Sequence, residues 1–174
     1  MGKIENYIIP FVGLSIGEHV FKFEIKDSFF ENIEYSEIKK GNLIVDLLFK
    51  KQSSMLILEF HILGTVKVMC DRCTDIFDLP IESNERLIIK IGGDDIGDND
   101  DVISIPTSEY EINLAQYIYE FIALALPSRR VHPVNSKGEN GCDMEVIKKL
   151  EKIAVHNQEI TDPRWEILKN LKLK

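Results

Sequence analysis

The chain has 174 residues with 44% hydrophobic content, enough for one ordered domain and too apolar for a disordered one. Its formal net charge is −8, from 21 basic and 29 acidic side chains. An acidic body of this kind repels phosphate, so broad electrostatic binding of nucleic acid is disfavoured, while local basic patches and basic protein partners are not.

Three cysteines cannot all pair within one chain. The opening Met-Gly-Lys-Ile-Glu-Asn-Tyr lacks a long apolar stretch, and the greasy run Phe121 to Pro127 is too short to span a bilayer. The expectation is reduced thiols, no membrane span and a cytoplasmic location.

Taken in order, Tyr7 to Leu14 is an apolar run containing Pro10, expected as a first edge strand. Val20 to Lys26 alternates, with Phe21, Phe23 and Ile25 on one side and Lys22, Glu24 and Lys26 on the other, as a half-buried strand does. Asp27 to Ile33 loses the alternation and reads as a short helical turn capped by Asp27 or Ser28. Leu43 to Lys50 and Met55 to Leu63 are strands around the polar turn 51–54. Gly64 and Thr65 are expected to break the second of them before Val66 to Met69.

Phe77 to Ile91 returns as one or two strands, so Cys70-Asp71-Arg72-Cys73 sits at a hairpin tip. Residues 92–101 form a glycine and acid loop. Its carboxylates do not follow the calcium-loop order, so a solvated loop is expected. Val102 to Ile105 is a short strand ended by Pro106. Beyond it the period changes: Asn113 reads as an N-cap, with Leu114, Tyr117, Ile118, Phe121, Ile122 and Ala125 at helical spacing until Leu126-Pro127.

Asp143 is placed to cap a helix from Met144 to Ile153, leaving Cys142 at its N-terminus, where the macrodipole favours a thiolate. Asp162-Pro163 is a start signal for a last helix, apolar at Trp165, Leu168 and Leu171 and basic at Lys169, Lys172 and Lys174. It is either docked on its own domain or an arm for a partner groove or RNA. The expected fold class is α+β, an antiparallel meander or small barrel-like sheet packed with a C-terminal set of helices. Residues 1–154 form a single domain and residues 155–174 a tail.

Two thiolates three positions apart at a turn can face one ion, and zinc takes four ligands in a tetrahedron. Cys70, Cys73, His132 and Cys142 can make a three-cysteine, one-histidine set joining the middle of the chain to its last third. The alternatives are ordinary buried thiols or a redox dithiol. Redox pairs usually open a helix, whereas Cys73 is followed by a strand-like run. Arg72, Arg129 and Arg130, with Arg164, Trp165, Lys169 and Lys172 of the tail, are the candidate contacts for RNA or a protein partner, with solvated side chains as the plain alternative. An enzyme finds little support: there is no H-E-x-x-H, phosphate loop or nucleophile elbow, and Glu59 and His61 read as outward polar residues on a strand.

The order Cys70-Asp71-Arg72-Cys73 between strands, a leucine-rich helix ending Leu124-Ala-Leu-Pro127, His132 and then Cys142 resembles the YceD-type large ribosomal RNA accumulation family (DUF177), from about Leu43 to Cys142. Asp162-Pro163-Arg164-Trp165 resembles the ending of Bacteroidetes-type members. The chain departs from the pattern between Pro127 and His132, where Ser-Arg-Arg-Val replaces a more apolar, second-proline segment. The resemblance implies a non-enzymatic factor for synthesis, processing or stability of large-subunit ribosomal RNA, with a structural zinc. Its partners would be that RNA, its precursors or a basic ribosomal protein. A zinc-stabilised adaptor between proteins, without RNA contact, is the competing function.

Overall fold

The computed structural model describes residues 7–92, 102–134 and 141–154. Its centre is a five-stranded sheet in the order β2-β3-β4-β5-β6, built from Gly17–Ile25 (β2), Lys40–Lys51 (β3), Met55–Met69 (β4), Ile76–Ile91 (β5) and Val102–Ile105 (β6). The first four form an antiparallel meander, and β6 lies parallel to β5 at the edge. The sheet is open among the described residues, so the meander holds and the barrel-like alternative does not.

Alternation fixes which side is buried. The registers place Phe23, Val45 and Ile62 in one row across three strands, and Phe21, Leu47 and Phe60 in the next. A shift of one residue would turn every such row to solvent, so the pattern specifies the pairing strongly. Val45, Leu47, Phe49, Leu56, Leu58 and Ile62 are fully buried.

Gly64 does not break β4, contrary to expectation. The inward phase runs through it, from Phe60 and Ile62 to Val66 and Val68. A Cβ at Gly64 would lie 2.3 Å from the Asn42 carbonyl oxygen and 2.6 Å from Leu43 Cα. Glycine is there because two backbones come too close for a side chain.

The buried face is covered by segments from both ends of the described chain. Ile8–Ile9 (β1) pairs with Ile112–Asn113 (β7), and Phe11–Gly13 follows as a 3-10 turn. The expected long first strand is therefore cut short at Pro10, which has no N–H for a ladder. The Lys51 ammonium donates to the carbonyl oxygens of Phe11 and Leu14, both at 2.8 Å, and so fastens that turn to the end of β3.

Helix α1 (Asp27–Glu31) buries Phe29 and Phe30. Its expected cap is not made: the Asp27 carboxylate instead accepts from the Gly41 N–H at 3.0 Å. Helix α2 (Ala115–Leu124) lays Ile118 and Ile122 on the sheet, and Phe121 meets Phe60 edge-on with centroids 5.1 Å apart. Asn113 lies in β7 rather than at the cap position itself, yet its side-chain oxygen still accepts the Ala115 N–H at 2.9 Å. Helix α3 (Met144–Ile153) begins as expected, with the Asp143 carboxylate accepting the Glu145 N–H at 2.8 Å. No helix among the described residues is long and apolar enough to cross a membrane. Most of the acidic loop and the whole 155–174 tail, with its expected helix, lie outside the described residues.

Candidate metal centre

The hairpin between β4 and β5 ends in a tight turn, Cys70 to Asp75. The Cys70 N–H donates to the Asp75 carbonyl at 2.8 Å and the Thr74 N–H to the Cys70 carbonyl at 2.9 Å. Thr74 takes a positive φ of 66°, an uncommon conformation for a β-branched residue. Its hydroxyl donates to the Cys73 carbonyl at 2.6 Å. This closed turn directs both Cys70 and Cys73 into a buried corner.

The segment after α2 is strapped across the same corner. The Asp71 N–H donates to the Arg130 carbonyl at 2.7 Å, and the Arg130 N–H donates to the Asp71 carboxylate at 2.6 Å. Two residues further on, the His132 ring packs on Phe77, with centroids 4.5 Å apart. A Cβ at Gly141 would sit 3.3 Å from His132 Cβ, so the chain before Cys142 passes close over the histidine. Cys142 then precedes the cap of α3 and is itself buried.

These four residues converge. Cys73 Sγ lies 3.4 Å from His132 Nδ1, Cys142 Sγ 3.6 Å from the same nitrogen, and Cys70 Sγ 3.9 Å from Cys142 Sγ. All four donor atoms lie within 4.8 Å of one another. A tetrahedral zinc with bonds of about 2.3 Å to sulfur and about 2.0–2.1 Å to nitrogen sets its ligands about 3.8 Å apart from sulfur to sulfur and about 3.6 Å from sulfur to nitrogen. The three separations of 3.4, 3.6 and 3.9 Å are close to those edges. The cysteines are free thiols, not a disulfide. The four could bind a metal such as zinc, and three sulfurs with one nitrogen fill a tetrahedron without an open position for substrate.

The electrostatics of the corner are uneven. Burial pushes the Cys70 thiol up, but backbone N–H groups of Cys73, Arg72 and His132, with the Cys73 side chain, outweigh it and bring Cys70 down to about 6. Cys142 is pushed up to about 11 by burial and by the sulfurs of Cys70 and Cys73. One thiolate is thus ready at neutral pH, and another thiol keeps its proton until an ion displaces it.

The other expected contacts are spread differently. Arg72 and Arg129 are exposed on this corner. Arg130 is not simply solvated: its side chain is 22% exposed and its Nη1 lies 2.8 Å from a Glu37 carboxylate oxygen. Its Nε is buried without a hydrogen-bond partner among the described residues. Arg164, Trp165, Lys169 and Lys172 lie outside the described residues. Glu59 and His61 face the open side of the sheet, where Glu59 pairs with Lys50 at 3.0 Å and His61 contacts Asn84 at 2.9 Å. Sequence reasoning missed the Asp71–Arg130 strap and Phe77 beneath the histidine. An acidic residue inside the C-x-x-C was the one available signal for the strap.

The family described as "Large ribosomal RNA subunit accumulation protein YceD" matches residues 58–172, more than half of the chain and all four donor residues. The match starts later than the expected Leu43 and continues through the tail, and it assigns no taxon. No curated protein and no solved structure matches the chain.

Proposed function

The chain belongs to the YceD family, and we propose that it is a non-catalytic factor for the synthesis, processing or stability of large-subunit ribosomal RNA, held in shape by one structural zinc. The family implies a role in large-subunit ribosomal RNA accumulation. The four convergent donors carry the zinc part of the reading. An ion there would tie the β4–β5 hairpin to the start of α3 and to the segment after α2, which the Asp71–Arg130 hydrogen bonds already hold against it. Closing such long loops is where a metal clip contributes most to stability.

The partners in this reading are precursors of the large-subunit RNA, a basic ribosomal protein, or both. The acidic body suits a basic protein, and the exposed Arg72 and Arg129 beside the metal corner, with the tail, suit RNA. The tail 155–174 acts as an appendage to the 1–154 domain, and the location is cytoplasmic, where ribosomes assemble. Sedimentation of lysates from growing cells tests the proposal. Co-migration with large-subunit precursors, weakened by salt, is expected; a protein found only at the top of the gradient contradicts it.

A second reading, a protein adaptor without RNA contact, is favoured by one observation. The outer side of the sheet is not covered by any described helix and exposes Val20 and Leu63. Partner binding that survives nuclease treatment would favour it.

A further inference from the structure

Beside the metal corner lies a cleft of about 400 Å³ whose charged lining is four cations, Lys39, Lys40, Lys67 and Arg130, against two carboxylates, Glu37 and Asp71. Its charges run against the rest of the chain, which is −8 overall. Lys40 stands directly opposite Lys67 in the β3–β4 register, and like charges opposed across strands are unfavourable. Asp78 relieves only one of them, at 2.9 Å from Lys67. Lys39 and Lys40 are exposed and make no ion pair among the described residues.

Next to these cations, Met69 and Ile76 face each other across β4 and β5 and are 59% and 69% exposed. The arrangement is therefore a cationic rim beside a small apolar platform. Arg130 forms part of the wall, with its guanidinium held at Nη1 by Glu37.

We infer that this cleft holds a single-stranded RNA segment, with phosphates on Lys39, Lys40 and Lys67 and a base lying on Met69 and Ile76. The inference rests on the ribosomal RNA reading proposed above. An acidic peptide would satisfy the lysines too, but RNA also uses the apolar platform between closely spaced anionic groups, and Arg72 and Arg129 extend the positive surface round the same corner. Glu37 competes with phosphate for Arg130 and so limits affinity.

The test is fluorescence anisotropy of the full chain with a labelled single-stranded RNA of mixed sequence, about 12 nucleotides long. Substituting Lys39→Ala and Lys40→Ala together should weaken binding at least about tenfold and reduce the slope of log K against log salt by about 1.4. Met69→Ser should weaken binding without changing that slope, and Glu37→Gln should tighten it. All four residues are exposed, so these variants keep the core intact.

Unchanged affinity in the double lysine variant overturns the inference, as does a poly-glutamate peptide that binds the cleft more tightly than the RNA. Gradient sedimentation of the same variants separates the two levels. A double variant that still travels with large-subunit precursors and binds RNA normally sinks the cleft and leaves the wider reading standing. A wild-type chain that neither binds RNA nor co-sediments overturns both.

Discussion

Asp71 and Arg130 hold each other by two hydrogen bonds, one from the Asp71 N–H to the Arg130 carbonyl at 2.7 Å and one from the Arg130 N–H to the Asp71 carboxylate at 2.6 Å. These residues are 59 positions apart, and the strap sets His132 beside Cys73. Asp71 touches no donor atom, so its effect on a metal is through position alone. Asp71→Ala should lower zinc affinity about 10–100-fold, measured by competition with a chromophoric chelator. Asp71→Asn, which keeps an oxygen acceptor, should recover most of it. Equal affinity in all three proteins would show that the strap is dispensable.

Metal affinity should rise with pH. The sign follows from the thiols. Bound to an ion, Cys142 must be a thiolate, whereas without one burial and the neighbouring sulfurs keep it protonated up to about 11. Binding therefore releases at least one proton, and affinity should increase by at least about tenfold per pH unit between roughly pH 7 and 9. Cys70, brought down to about 6, adds nothing to the slope in that range and steepens it only below. A flat affinity from pH 7 to 9 would contradict this assignment of protons.

Gly64→Ala should destabilise the fold by about 2–4 kcal/mol, through overpacking and the strain of an unusual backbone conformation. The added Cβ would strike main-chain atoms of Asn42 and Leu43, which cannot turn aside. Urea unfolding monitors it: the midpoint should fall with little change in slope. A variant of wild-type midpoint would show that β3 shifts freely past β4.

Phe60→Ala should cost about 3–5 kcal/mol, because it leaves a cavity between the sheet and Phe121 of α2. Phe60→Leu should cost clearly less. If the two substitutions cost the same, the stability comes from the ring contact with Phe121 and not from the volume the side chain fills.

The meander was legible because Phe21, Phe23 and Ile25 in β2 and the even-numbered row of β4 alternate cleanly, and a buried face leaves one register open to each. Gly64 misled the reading because a glycine at a turn and a glycine at a close backbone approach look alike in sequence. The parallel edge strand β6 was legible as a strand but not in direction, since pairing direction is decided by the path of the intervening chain. In the site, cysteine and histidine chemistry was enough to name four donors. The positions of Phe77, Gly141 and the Asp71–Arg130 strap were not, because they depend on which loops cross in space. The partial burial of Arg130 followed from the same crossing: a basic residue beside a loop reads as solvated until its partner, Glu37, is brought to it across 93 positions.

In this reading one ion joins the hairpin tip to the segment before α3. Elemental analysis of purified wild-type protein beside Cys142→Ser tests it most directly. One zinc per chain is expected in the wild type, and its loss together with a lower Tm in the variant. Wild-type protein purified under reducing, chelator-free conditions that carries no metal, or a Cys142→Ser variant that keeps both zinc and Tm, would contradict it.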